Sequence, residues 1–539
     1  VNRSNPVRYW LTGLLALMLW SMTTLARASE SDTLTSEFDT LASQLAAASF
    51  KQKGELVEQL AQTQDPRAAA LLSAFLEGEL YSSKDNPAQL LIRQGTTYSD
   101  ALSGTVVTAA SSKKLIVNNA LRGQLRDLLA FMSLLSKDAG ERLQAAQRLL
   151  STGSTAEQLP RLQKVFAAET DEQVRAVLGD VIAVAELGSP DKALRLLAVD
   201  TLRGSLSPEV RARLDSVAQQ DSDAEVRQAA ASALTSIQSK IDFNLLLQNI
   251  FFGLSLGSVL LLAAVGLAIT FGVMGVINMA HGELIMIGAY TTWVVQQLMP
   301  NHIGISILVA IPAAFVVSGL VGIAIERCVI RFLYGRPLET LLATFGISLI
   351  LQQAVRSLFS PLNRAVTTPD WMSGSWQINP ILSLTYNRLY ILIFALIVFF
   401  ALMLVLKRTS LGLKVRAVSQ NRAMARAVGV RANRVDALTF GLGAGIAGVA
   451  GVALSQLTNV GPNLGQAYII DSFMVVVFGG VGNLWGTLVG AMGLGVVNKF
   501  LEPYSGAVLA KILALVFIIL FIQKRPRGLF PQKGRAAEA

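Results

Sequence analysis

The 539-residue sequence is 52% hydrophobic and only 15% charged. A water-soluble chain carries about a quarter charged residues, so a large part of this one belongs in a membrane. The net charge of +10 then reads as basic membrane-protein loops rather than a nucleic-acid surface, while a single cysteine, Cys328, and two histidines argue against an internal disulfide and a protein-built transition-metal site, and no cofactor is expected.

Residues 1–28 begin with Arg3 and Arg8, pass through WLTGLLALMLW and end in Ala26-Arg27-Ala28. This order reads as a secretory signal peptide, which would export the segment that follows; an uncleaved anchor is the alternative. Residues 29–242 are charged and rich in Ala and Leu. Their apolar positions recur at three- and four-residue steps, as in Leu56 and Leu60 or Leu143, Ala146, Leu149 and Leu150, which predicts helices. Residues 81–119, richer in Ser, Thr, Asn and Gly, predict irregular or β structure. DEQVRAVLGDVI (171–182), DKALRLLAVDTL (191–202) and DAEVRQAAASAL (223–234) share an acid, an apolar-Arg step and then small and apolar residues. That self-similarity resembles HEAT-type repeats stacked as a short solenoid, with an ordinary bundle as the alternative.

From Phe243 the composition changes. Nine apolar segments follow, at 245–271, 279–298, 303–326, 338–359, 389–406, 436–457, 467–480, 484–499 and 507–523, most of them close to the ~20 residues that cross a bilayer. The short seventh and eighth flank FGGVGNLWGT (478–487), where Gly479, Gly480, Gly482 and Gly486 predict either two half-length segments or one broken helix. Arg327, Arg331 and Arg336 follow the third segment, eight Lys and Arg fill 407–434, and Lys524, Arg525 and Arg527 follow the last. The positive-inside rule makes these three regions cytoplasmic and the amino-terminal domain external. The expected fold is all-α: a polytopic membrane domain of eight or nine spans or half-spans (243–525), a soluble helical domain before it (29–242) and a short cytoplasmic tail (526–539).

Within the first two spans, FGVMGVINMAHGELIMIGAY (271–290) interrupts an apolar run with Asn278, His281 and Glu283. Ionisable groups at membrane depth are costly and mark interior paths, although snorkelling at a helix end explains them too. The asparagine, followed by Ala280-His281-Gly282-Glu283, resembles the motif near the start of branched-chain amino-acid type permeases of ABC importers. The basic loop 407–434 adds a second likeness. Its SQNRAMARAVGV segment predicts a short helix capped by Ser419 or Asn421, with an apolar face of Met424, Ala427 and Val428 and an end at Gly429. It resembles the cytoplasmic loop of the same family that docks on the ATPase; Arg422, Met424, Ala427, Val428 and Gly429 would carry the coupling. On charge alone, a loop that only fixes orientation against anionic lipid is equally consistent. GLGAGIAGVAGVAL (441–454), Asp471 and the ending RPRGLF (525–530) extend the likeness over 245–531.

What the resemblance implies is an inner-membrane, multi-pass permease, not itself an enzyme, working with ABC ATPase subunits, a second permease subunit and an extracytoplasmic substrate-binding protein. No Walker motif occurs in the chain, which agrees with an external power source. The long domain ahead of the membrane part departs from the amino-acid permeases and looks like the urea ABC transporter permease of this type. Urea or a short-chain amide is therefore the expected substrate, and a branched-chain amino acid the alternative. Asn278, His281, Glu283, Gln352 and Gln353 offer hydrogen bonds for such a path, with Gly272, Gly282, Gly445, Gly479, Gly480 and Gly482 as gating or packing positions. An ion-coupled secondary transporter using His281 and Glu283 as a relay is the rival from another class.

Overall fold

The computed structural model describes residues 37–530, except 64, 84, 85, 87, 96, 108–111 and 154–157. The segment 1–28 read as a signal peptide lies outside the described residues, as does 531–539 of the tail. The chain divides into two compact units, residues 1–239 and 240–539.

In the first unit, helix α1 (Phe50–Gln62) starts in a capping box between Ser49 and Gln52. Helix α2 (Pro66–Glu77) starts at Asp65 with proline in its first turn and stops at left-handed Gly78. A five-stranded antiparallel sheet follows, in the order β4-β3-β2-β1-β5, built from β1 (Leu80–Ser83), β2 (Leu90–Gln94), β3 (Thr97–Asp100), β4 (Val106–Val107) and β5 (Ser112–Lys114). Phe38, Leu60, Leu71, Phe75, Leu80 and Leu90 form the core beneath it. Six helices then run to residue 220: α3 (Asn119–Leu134), α4 (Ala139–Thr152), α5 (Leu159–Ala168), α6 (Glu172–Glu186), α7 (Lys192–Leu202) and α8 (Pro208–Gln220).

The acid shared by the sequence copies is a helix cap. Asp171 and Asp191 accept backbone N–H groups at the starts of α6 and α7. The arginine four residues beyond a cap can act as a clamp. Arg195 donates to the carbonyls of Ser189 and Pro190 and pairs with Asp221 at 3.0 Å; Arg142, four residues after the Asp138 cap, does the same with Ser136, Lys137 and Glu169. Each clamp joins a helix start to the turn before it and to a carboxylate further along the chain.

Helix α9 (Ala224–Met274) runs unbroken through the composition change at 242–243. The second unit continues with α10 (His281–Leu298), α11 (Ile303–Cys328), α12 (Pro337–Phe359), α13 (Tyr386–Arg408), α14 (Ser410–Gln420), α15 (Arg422–Ala427), α16 (Ala432–Ser455), α17 (Leu464–Gly479) and α18 (Leu484–Lys524). All nine apolar segments fall on helices, and six of these helices are long and apolar enough to cross a membrane. The glycine-rich stretch is a turn between separate helices, not a break inside one: Asn483 caps α18 through the N–H groups of Trp485 and Gly486. The last two segments share α18, which is kinked at Gly506, where φ is 76°, just after Pro503.

Helix α16 is the centre of the bundle and is almost wholly buried. Its small residues let α10 approach backbone to backbone: a side chain at Gly288 would run into Gly448, and one at Gly451 into the carbonyl of Ile285.

Candidate functional site

Gly275, with φ 67°, takes the chain out of α9, and helix resumes only at His281. Backbone that leaves a helix inside a membrane bundle needs other partners. Two side chains supply them. Asn278 Oδ1 accepts the N–H of Ala280 at 3.0 Å, and Thr344 Oγ1 on α12 accepts that of Met279 at 3.1 Å.

Helix α12 is built to meet this stretch. Thr340, Thr344, Ser348 and Gln352 stand at four-residue steps and form one buried polar stripe, while Leu342, Leu349, Ile350 and Leu358 are exposed. A helix polar inward and apolar outward suits lipid outside and a hydrophilic seam inside. On that seam Ser348 donates to Glu283 Oε1 at 2.9 Å. One turn further, Gln352 Oε1 accepts from Arg356, which also reaches Asn463 at 2.8 Å.

Among the described residues, four buried polar atoms along the α10–α12 seam have no hydrogen-bond partner: Asn278 Nδ2, Glu283 Oε2, Gln352 Nε2 and the Tyr290 hydroxyl, which packs against Phe359. They comprise two amide donors, one carboxylate acceptor and a hydroxyl able to do either. Leaving such groups unpaired costs roughly 1–3 kcal/mol each, so water or solute at the seam would be bound favourably.

Two expectations change here. Gln353 is exposed on the other side of α12 and takes no part in the seam, because neighbouring helical residues lie about 100° apart. His281 and Glu283 do not form a pair: two residues apart on one helix, they face different neighbours. The His281 ring, fully buried, sits with Nε2 2.8 Å from the carbonyl of Ala263 in α9. A carbonyl only accepts, so Nε2 carries the proton and His281 acts as a strut between α10 and α9.

The six glycines picked from the sequence are contact points between backbones or against a ring. Gly272 lies against Gly482, Gly282 against Gly465, Gly479 against Gly486, Gly480 against Phe530 and Gly445 against Phe315.

Loop 407–434 holds two helices rather than one. Asn421 caps α15 by accepting the N–H of Met424 at 2.9 Å, and Gly429, with φ 87°, follows its end. Ala425 packs inward with Val415, Val418 and Val435, whereas Met424, Ala427 and Val428 face outward, Met424 being 62% and Val428 72% exposed. Arg422 is not on that outer face. It pairs with Asp436 at the start of α16 and lies 3.8 Å from the ring centroid of Tyr334, tying α15 to the bundle. Sequence reasoning missed Asp436, Thr344 and Ser348; the signal for the last two was the four-residue polar spacing on α12.

Residues 249–522 match the family described as branched-chain amino acid transport system, permease component. The chain belongs to this family. The high-affinity branched-chain amino acid transport system permease protein BraD of Pseudomonas aeruginosa is 32% identical over 292 residues, covering 52% of this chain and 95% of that protein. The corresponding protein LivH of Escherichia coli is 31% identical over 293 residues, 52% of this chain and 94% of its own length. A ribose import permease protein, RbsC of Escherichia coli, is 28% identical over 266 residues, 48% of this chain and 78% of its own. No solved structure matches. As a permease component the chain is a multi-pass membrane protein, and such components work with separate ATPase subunits and substrate-binding proteins.

Proposed function

We propose that this permease component forms the membrane path of an ATP-driven importer for urea or a short-chain amide. The observation that carries the reading is that Asn278 Nδ2, Glu283 Oε2 and Gln352 Nε2 are among the unpartnered buried groups at the α10–α12 seam. A neutral amide offers a carbonyl to the two donors and N–H groups to the acceptor, and needs no fixed countercharge. The family match begins at residue 249, so the first unit is an addition beyond what the family covers, in keeping with the urea reading. The names of the relatives favour a second reading, a branched-chain amino acid.

On either reading the seam alternates between access from the two sides as the ATPase subunits move α15, whose outward apolar face of Met424, Ala427 and Val428 is the docking surface. Loop 407–434 lies in the cytoplasm and the first unit, carrying its helical repeats, lies outside, where it serves as a docking surface. The test is uptake of labelled urea, with leucine as competitor, by cells expressing the chain with its partners, before and after ATP depletion with the proton gradient held. ATP-dependent urea uptake that ignores leucine supports the amide reading. Competition by leucine supports the second, and uptake that follows the proton gradient alone overturns both.

A further inference from the structure

Asp471, noticed in the sequence but unused by the seam, belongs to a second polar site. A cavity of about 270 Å³ lies among α9, α16, α17 and both arms of α18, with Arg388 of α13 on its wall. The kink at Gly506 makes the cavity possible: it sets Asn498 and Glu502 on one arm of α18 and Lys511 on the other, all facing the same space. Arg388 stands at the opposite end of α13 from loop 407–434, and Asn498 lies about four turns along the first arm of α18 from the 480–483 turn, which places the cavity toward the other end of the bundle from α15.

Charge inside a membrane unit is costly, and this cavity gathers five charged side chains. Lys511 pairs with Asp471 at 3.0 Å across two helices, and Lys499 with Glu502 at 2.5 Å along one. Arg388 lies over the Phe252 ring and has no ion pair among the described residues. Among the described residues, two further groups on the wall are buried and unpartnered: the Ser255 hydroxyl, completely inaccessible, and Asn498 Oδ1 on a residue only 8% exposed. Leu256 and Leu454 give the remaining wall an apolar surface.

We infer that this cavity is a second solute site on the chain, taking a small molecule whose carbonyl or carboxylate oxygen lies beside N–H donors. The oxygen goes to the Arg388 guanidinium, which no carboxylate among the described residues occupies. The N–H groups go to Asp471 and Asn498 Oδ1. An amide and a zwitterionic amino acid share this chemistry, and the apolar wall accepts an aliphatic side chain when there is one. Lys511, with half its side chain exposed, stands at the mouth, so the site fills from outside the bundle before solute reaches the α10–α12 seam. The inference rests on the importer reading for what the solute is, not for whether the cavity binds.

Two measurements on the assembled transporter test it. In a Cys328→Ser background, Ala507→Cys supplies one thiol in the cavity; its labelling rate is read with and without saturating urea, and separately with leucine. Slowing of about tenfold by either solute is expected, and the effective one names the source. No protection by either, in an assembled complex, overturns the site. The second measurement is uptake by Asp471→Asn and Arg388→Gln, each in a complex shown to assemble. A KM raised about tenfold, with a smaller change in kcat, is expected for loss of one charge-assisted hydrogen bond. Unchanged KM in both overturns the site. If the wild-type complex takes up neither solute, the importer reading fails, while the labelling experiment still reports on the cavity.

Discussion

Ser348 donates its hydroxyl to Glu283 Oε1 across the seam between α12 and α10, and the second oxygen of that carboxylate is left buried and unpartnered. One helix thus orients the acid while keeping half of its accepting capacity free. Replacing Glu283 by Gln keeps the shape but turns one acceptor into a donor. Uptake by Glu283→Gln is expected to fall in kcat/KM by at least about tenfold, and Ser348→Ala to give a smaller loss, since Oε2 is untouched. Initial-rate uptake of the labelled substrate by assembled complexes checks both.

Gly288 and Gly448 bring α10 and α16 into backbone contact. Gly288→Leu forces the helices apart at the centre of the bundle, and overpacking of about 1–3 kcal/mol or more is expected. The yield of intact complex and its melting temperature should both drop, with Gly288→Ala in between.

Arg422 neutralises Asp436, which is 1% exposed. Arg422→Ala leaves a buried carboxylate alone, at a cost of roughly 3–5 kcal/mol. The double variant Arg422→Ala/Asp436→Ala should recover much of the lost stability, read as melting temperature of the purified complex. If the arginine's contribution were instead its stacking on Tyr334, the double variant would be no better than the single one.

The Val428 side chain is solvent-facing, and only its backbone N–H, bonded to the Met424 carbonyl, helps close α15. Val428→Asp should therefore leave the melting temperature within about a degree of wild type, as surface changes cost under about 0.5 kcal/mol. Solute-stimulated ATPase activity should fall about tenfold if the Met424–Val428 face docks the ATPase.

Hydrogen bonds from Arg142 hold the Glu169 carboxyl below its usual range. A lowered folded-state value means stability that is present above the unfolded pKa of about 4.3 and is lost as pH falls through the folded one. Unfolding of the first unit in the full chain should become easier between about pH 4.5 and 3. Glu169→Gln should be less stable at neutral pH and flatter across that window, as followed by circular dichroism.

Local patterns carried the reading of this fold a long way. The nine apolar runs fell on eight helices because span length and hydropathy are properties of short segments, and Asn421 and Gly429 bounded α15 because caps act within a few residues. Other features depended on neighbours. Gln352 and Gln353 are equivalent on paper, and only the register of the Thr340–Thr344–Ser348 stripe against α10 decides which of them enters the seam. The Asp436 partner of Arg422 lies on another helix. Composition changes sharply at residue 242, yet α9 passes through it intact, because helix propensity on the two sides is alike while hydropathy is not.

The polar stripe also bears on how the chain is made. Helix α12 is the least apolar of the six long membrane helices, and its Thr, Ser and Gln face inward only once α10 is beside it. Alone, leaving the translocon, it presents those groups to lipid, and its partition into the bilayer is marginal compared with α11 before it and α13 after it. Helix α12 is thus held in the membrane by the company it keeps: the segment that supplies the hydrophilic seam is also the one whose biogenesis depends on its neighbours arriving on either side.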